Sequence, residues 1–370
     1  MRKITYFLMK PKKRIVFLAY SISGGGLESQ IAALTDIFAA FDPAIELLLW
    51  NDDVGFNTRM PIINLEKKFG KNTFLSKIRK YLFIKNYIKR NNVEILIDQR
   101  HKTKPWLEVF LSNFVLNIQT FSAVHSSDLD AYGFKNKYLI KHIYNKHKHI
   151  VCVSNCIADK IKKEFPFLKN VHQIYNVYEK KAKKQMEPNH FDFKYILFSG
   201  RVNGKEKQVD KLIESYANSN VHQSNIHLVL LGWDEKSYHL HELAKSLNLE
   251  KLVHFLPFQS NIDVYYKNAM FTVLCSKFEG LPMTLIESLA NQTPVISFDC
   301  PCGPSEIVEN NVNGLLVENQ NFDELTIALA NLATDAEKLS FFKSNALKSV
   351  EKFSPVEILK AWTTLIHIEK

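Results

Sequence analysis

Short apolar runs alternate with amphipathic segments along almost all of this chain, and that alternation limits its fold more than any other feature. Arg14 to Tyr20 is near-continuously apolar, as a strand buried on both faces must be. It ends in Ser21-Ile22-Ser23-Gly24-Gly25-Gly26, after which Leu27, Ile31, Leu34, Phe38 and Phe41 recur at helical spacing. Further strands are expected at Ile45–Trp50, Ile62-Ile63, Val93–Ile97, Val115–Thr120, Ile150–Val153 and Val171–Ile174. The second half repeats the pattern, with strands at Ile196–Phe198, His227–Leu231, Val253–Leu256, Phe271–Cys275 and Pro294–Phe298. Between them lie helical segments at Val209–Tyr216, Tyr238–Leu247, Ile262–Asn268 and from about Pro282. Asp323–Val350 reads as helical, and Ser354-Pro355 caps and opens a last helix to Lys370. Strands and helices in strict alternation predict an α/β protein with two doubly wound parallel sheets.

A chain of 370 residues exceeds the ~250–300 residues that one core usually serves. Glu179 to His190, charged and carrying Pro188, is the expected linker. The expected division is 1–185, 186–353 and a terminal helix 354–370. No apolar run reaches the ~18–20 residues of a membrane span. The basic start, MRKITYFLMK, is followed by no small-residue cleavage site, so a secretory signal is not expected and the predicted location is cytoplasmic. The five cysteines, odd in number and placed at strand edges, do not suggest a disulfide framework.

Charge is unevenly spread. Residues 1–190 carry 32 Lys and Arg against 16 Asp and Glu, and the remainder 16 against 22. The first half is therefore expected to face an anionic partner, such as nucleic acid, an acidic glycan or an anionic membrane. No nucleic-acid module with interleaved aromatics is recognisable. Phe69 to Arg90 reads as a basic helix in which Phe74, Leu75, Ile78, Leu82 and Ile88 can share a face among Lys77, Arg79, Lys80, Lys85, Lys89 and Arg90. It suits peripheral contact with anionic lipid headgroups. Tyr81, Phe83 and Ile84 supply a second stripe, so a core-packed helix with a solvated basic face fits as well.

The chemistry-bearing residues cluster at predicted strand ends, where open α/β sheets place ligands. Glu279 precedes the helix from Pro282 and Glu287 lies on its second turn, a Glu-x7-Glu spacing. Glu287 can accept from both hydroxyls of a ribose, Glu279 can hold a sugar hydroxyl, and the N–H groups near Leu281 to Thr284 can meet phosphate oxygens. Arg201, with Lys205 and Lys207 before the next helix, suits a diphosphate. Gly24, Gly25 and Gly26 let backbone N–H groups approach a phosphate. His125 follows a strand end. A dinucleotide fingerprint is imperfect at the first loop, because Ser29 stands at its third glycine position, although Asp52 or Asp53 could serve a ribose.

These residues resemble a family, the GT-B glycosyltransferases of the large retaining group that uses nucleotide sugars and the Glu-x7-Glu motif. The resemblance is carried by Gly24-Gly25-Gly26, Ser199-Gly200-Arg201 with Lys207, Ser276 to Pro282, Glu287-Ser288-Leu289-Ala290, Pro294-Val295-Ile296, Gly303-Pro304-Ser305-Glu306-Ile307 and Asn313-Gly314. It implies two Rossmann-like domains facing a cleft, with the donor bound mostly by the second and the last helix crossing back to the first. It implies Arg201 and Lys207 on the diphosphate, Glu287 on the ribose, Glu279 on the donor sugar with Gly280, Leu281, Pro282, Met283 and Thr284 beside it, Gly24–Gly26 near the phosphate and His125 near the sugar. The Arg-to-Lys gap is one residue longer than the common pattern, so Lys205 or Lys207 could fill that role. It further implies front-face transfer with retention, no cofactor and no essential metal. The Gly303-Pro304-Ser305-Glu306 form is similar to members that build lipopolysaccharide or capsule, which implies a UDP-linked hexose or N-acetylhexosamine donor and a glycolipid or polysaccharide acceptor, with nucleic acid no partner and the protein at the inner face of the membrane. The competing readings are a non-catalytic nucleotide-sugar-binding module, which need not keep Glu279 or His125, and a nicotinamide-dependent dehydrogenase, which leaves the second-half motifs unexplained.

Overall fold

The computed structural model describes residues 13–144, 148–179, 191–202, 204–259 and 261–368. The chain divides into two compact units, Met1–Glu179 with Phe353–Lys370, and Lys180–Lys352. Most of the expected linker, residues 180–190, lies outside the described residues.

Among its described residues the first unit holds seven strands: β1 (Ile15–Ala19), β2 (Glu46–Leu49), β3 (Ile62–Asn64), β4 (Ile95–Asp98), β5 (Gln119–Val124), β6 (Lys148–Cys152) and β7 (Val171–Gln173). Their order is β3-β2-β1-β4-β5-β6-β7, every pair parallel. The chain starts at the centre, winds to one edge, then returns to β4 and winds to the other. The order reverses between β1 and β4, so the crevice of this sheet opens at their carboxyl ends.

One sheet face is covered by the helix Gly26–Phe41 and by the last helix, Pro355–Ile368. Trp362 lies edge-on to Phe38 and Phe121, both at 6.1 Å. The terminal helix thus belongs to the core of the first unit despite its distance in sequence. The other face packs Ile84, Tyr87 and Ile88 of the helix Phe74–Arg90, with Leu111 and Val115, onto Val16, Leu18, Leu48 and Leu96.

Two expectations are corrected here. The basic helix starts at Phe74, not Phe69, because Gly70 turns the chain at φ +83° and the Thr73 side chain caps Ser76 N–H. A short helix, Leu65–Phe69, precedes it. Residues 111–115 continue the helix Pro105–Phe110 as a π-turn, and β5 begins only at Gln119, so His125 directly follows it. Within β6, which is covered on both faces, His149 is buried and stacks on Phe121 at 4.7 Å.

The second unit holds β8 (Lys194–Ser199), β9 (Ile226–Leu231), β10 (Val253–Leu256), β11 (Phe271–Leu274), β12 (Val295–Phe298) and β13 (Gly314–Val317). Their order is β10-β9-β8-β11-β12-β13, again all parallel, with the reversal between β8 and β11. The helical stretch after β13 is two helices, Phe322–Thr334 and Ala336–Ser349, joined at Asp335, whose side chain accepts from Lys338 N–H. Cys152, Cys275 and Cys300 are buried free thiols, and burial pushes each up to about 12, which keeps the thiolate form scarce near pH 7. Among the described residues no helix is long and apolar enough to cross a membrane.

Candidate active site

In the second unit, the loops after β8, β11 and β12 converge at the switch point. Gly200 leaves β8 at φ +150°, and Gly232 after β9 lies so close that a Cβ there would sit 2.1 Å from Gly200 O. The loop then carries Arg201, exposed and 3.2 Å from Glu206 Oε1. Lys277 N–H donates to Glu206 O at 2.8 Å and Cys275 Sγ–H to Lys207 O at 3.3 Å, which seats the β8 loop on the β11 loop. Lys207 Nζ reaches Glu279 Oε1 at 2.5 Å, with both side chains mostly buried. Lys205 is exposed. Of the two candidate lysines, Lys207 is therefore the one brought to Glu279.

The third loop supports this pair from below. Glu279 N–H donates to Pro301 O at 3.3 Å. Gly303 adopts φ +101°, and a Cβ on it would lie 2.5 Å from Pro282 Cδ and 3.0 Å from Gly280 O. Only glycine lets the β12 loop press so closely on Gly280-Leu281-Pro282, which are all buried. Pro282 then precedes the helix Met283–Ala290, whose first turn no side chain caps. Its N–H groups near Met283 and Thr284, with the positive dipole end, form a place for an anion. Glu287 is half-buried one turn on, and Tyr266 Oη–H donates to its Oε2 at 2.9 Å. Among the described residues no group of three or more His, Cys, Asp or Glu is placed to hold a metal ion.

The other expected residues belong to the first unit. Gly24, at φ +83°, and Gly25 lead into the helix that starts at Gly26. A Cβ on Gly24 or Gly26 would meet nothing within 4 Å, so the loop is open there rather than packed. It is held from the side by Ile22 N–H to Asp53 O at 3.1 Å and Gly55 N–H to Ile22 O at 3.0 Å. Asp52 pairs with Lys67 at 3.4 Å and accepts from Asn64, while Ser29 donates back to Gly26 O inside the helix.

His125 follows β5, its N–H bonded to Tyr132 Oη at 3.1 Å and its Nε2 2.7 Å from Gln99 Oε1. Burial, with His101 adding, pulls the imidazole down to about 3 from 6.5. The ring is therefore neutral near pH 7. Stability from keeping it neutral is complete above pH 6.5 and is lost as pH falls toward about 3, because only the unfolded chain takes up the proton in that window. His149, which burial holds at about 4, acts in the same direction. A His125→Gln chain should therefore lose less stability than the parent between pH 7 and pH 5. Thermal unfolding of both chains across that range checks it, and parallel losses would contradict it.

Sequence reading missed three supports. Gln99 holds His125, and its position just after β4 at the switch point was the available signal. Tyr266, fully buried on a short helix, holds Glu287, and nothing in its sequence context announces this. The third is a buried charge cluster on the β4 loop. Arg100 binds Asp98 through Nε at 2.9 Å and Nη2 at 3.0 Å and also reaches Glu108 at 3.3 Å, while Lys102 meets Asp98 at 3.1 Å. All four are nearly inaccessible to solvent.

Comparison with known proteins completes the picture. Residues 179–349 match the family model described as glycosyl transferases group 1. An uncharacterized glycosyltransferase of Methanocaldococcus jannaschii is 31% identical over 288 residues, covering 66% of this chain and 70% of that protein. A Campylobacter jejuni enzyme named N-acetylgalactosamine-N,N'-diacetylbacillosaminyl-diphospho-undecaprenol 4-alpha-N-acetylgalactosaminyltransferase is 27% identical over 369 residues, covering 94% and 98%. The Anabaena HepE structure in complex with UDP and glucose superposes with a TM-score of 0.78 at 17% identity, covering 96% of this chain and 100% of that one. With its two parallel-sheet units and these matches, the chain belongs to the group 1 glycosyl transferases and has the GT-B fold.

Proposed function

We propose that this glycosyltransferase moves a hexose or N-acetylhexosamine, with retention, from a UDP-linked donor to a lipid-bound or polysaccharide acceptor in bacterial cell-surface glycan synthesis, lipopolysaccharide or capsule, at the inner face of the cytoplasmic membrane. One observation carries the reading. Three successive strand-end loops of the second sheet bring Lys207 and Glu279 to 2.5 Å beside the uncapped start of the helix that carries Glu287. Glu287, steadied by Tyr266, takes the ribose hydroxyls, and Glu279 takes a hydroxyl of the sugar. Arg201, Lys207 and the Met283 and Thr284 amides take the diphosphate.

In the reaction the bond from the anomeric carbon to the diphosphate oxygen breaks and one from the acceptor hydroxyl oxygen forms on the same face. The acceptor's proton passes to the departing diphosphate. Charge grows on that diphosphate in the transition state, and preorganised cations and N–H donors aimed there lower the barrier. The name of the Campylobacter relative, which acts on a diphospho-undecaprenol, supports a lipid-linked acceptor, and the UDP and glucose of the HepE complex support the donor class.

A panel of UDP-, GDP- and ADP-sugars in thermal unfolding tests the donor. A UDP-sugar at about 100 times its Kd should stabilise by about 2.7 kcal/mol, and Arg201→Ala should remove most of the shift. Stabilisation by NAD and by no sugar nucleotide would sink the reading. Stabilisation by a sugar nucleotide with no transfer to any acceptor would favour the binding module.

A further inference from the structure

The outer face of the first unit carries apolar and cationic side chains together. On the helix Phe74–Arg90, Ser76, Lys80, Ile84, Tyr87 and Ile88 point inward. Lys80 sets the rotation of this helix: its buried Nζ donates to Trp50 O and Asn72 Oδ1, both at 2.9 Å. The opposite stripe is left in solvent, with Phe74 79%, Leu75 65% and Leu82 55% exposed, and Ile78 beside them. Arg79, Lys85, Lys89 and Arg90 flank it, and the helix contains no Asp or Glu.

The stripe has a neighbour that periodicity did not reveal. Residues 111–115 pack beside this helix, and with Pro105–Phe110 they present Trp106, Phe110 and Phe114 at four-residue spacing, 74%, 51% and 62% exposed. The Phe110 and Phe114 rings lie 5.3 Å apart. The helix Lys137–Ile143, packed against both segments, adds the exposed Tyr138 with Lys137 and Lys141. Among the described residues nothing covers these side chains.

A soluble surface rarely leaves so many large apolar side chains together unless something covers them. We infer that this face docks on an anionic lipid bilayer, with Phe74, Leu75, Ile78, Leu82, Trp106 and Phe110 entering the interfacial layer and the flanking Lys and Arg meeting anionic headgroups. Charge complementarity selects this occupant. A protein partner would have to supply an acidic rim around an apolar centre, whereas an anionic bilayer supplies headgroup charge at the rim and acyl chains at the centre everywhere. Aromatic side chains prefer that interfacial depth. The inference deepens the reading of a lipid-bound acceptor by naming the surface that meets the membrane. Its test reads lipid binding and not transfer, so the two can fail separately.

The full chain is floated with vesicles of phosphatidylcholine alone and of phosphatidylcholine with phosphatidylglycerol. It should bind the second strongly at low salt and the first weakly, and salt should release it. Leu75→Ser with Leu82→Ser should lower binding about tenfold or more, and Lys85→Glu with Lys89→Glu should lower it on anionic vesicles by about fivefold per charge or more. Phospholipids brominated in the acyl chain should quench fluorescence that Trp106→Phe removes. Four outcomes overturn the inference: no binding to anionic vesicles at low salt, parental binding by both double variants, no quenching of Trp106 on bound protein, or a lipid-free dimer that Leu75→Ser with Leu82→Ser dissociates without changing lipid binding. The last would assign the face to a second copy of the chain. Unchanged far-ultraviolet dichroism confirms that these exposed substitutions leave the fold intact.

Discussion

Glu279→Gln should leave the protein folded and cost sugar transfer by ~10²-fold or more in kcat, the range found when one preorganised polar group at a reacting centre is removed. On the proposed assignment the carboxylate holds a hydroxyl of the donor sugar and at the same time neutralises Lys207, 2.5 Å away. Gln keeps the size and one acceptor oxygen, so the loop geometry survives and the lost quantity is charge. The loop is also held independently of that side chain, by Glu279 N–H to Pro301 O and by Gly303 pressed on Gly280 and Pro282. Steady-state kinetics with the donor that stabilises the parent chain provide the measurement, with thermal unfolding as the control. Parental kcat and KM in this variant would remove Glu279 from the mechanism.

Arg100→Met should destabilise the first unit by about 3–5 kcal/mol, the cost of breaking a buried ion pair by deleting one partner. Burial alone would raise the Asp98 carboxyl. The Arg100 guanidinium and the Lys102 ammonium outweigh it and hold Asp98 well below the usual carboxylate range. Glu108, buried as well, pairs with Arg100 at 3.3 Å. Without Arg100, one carboxylate keeps Lys102 and the other faces an apolar thioether. The sign with pH follows from the lowered Asp98. Its contribution is complete above the ordinary value of 3.8 and is lost as pH falls below it. Urea unfolding followed by tryptophan fluorescence measures the change, and a loss under about 1 kcal/mol, the scale of a surface pair, would show that the cluster is not a structural charge network.

The alternation of apolar runs and helical segments carried the architecture correctly because parallel strands buried on both faces leave a strong and local signal. Ends were less legible. β5 starts at Gln119 because Leu111–Val115 prolongs a helix as a π-turn, and apolar residues of that kind read equally as strand. Glu279 and Glu287 stood out because seven residues separate a loop from the second turn of one helix. Gln99, Tyr266 and the partners of Arg100 did not stand out, because each acts through a residue far away in sequence.

The sequence by itself determined two doubly wound sheets, the strand ends that carry Gly24–Gly26, Arg201 and Glu279, and the basic excess of the first half. These are local or compositional properties, written in period, spacing and charge. The tertiary structure alone decided which lysine meets Glu279, that the last helix sets Trp362 against Phe38, and which stripe of the helix Phe74–Arg90 faces outward. Two apolar stripes of equal helical period compete for the same core. The choice between them rests on a buried ammonium, Lys80, that finds its acceptors only when Trp50 and Asn72 have been brought to it.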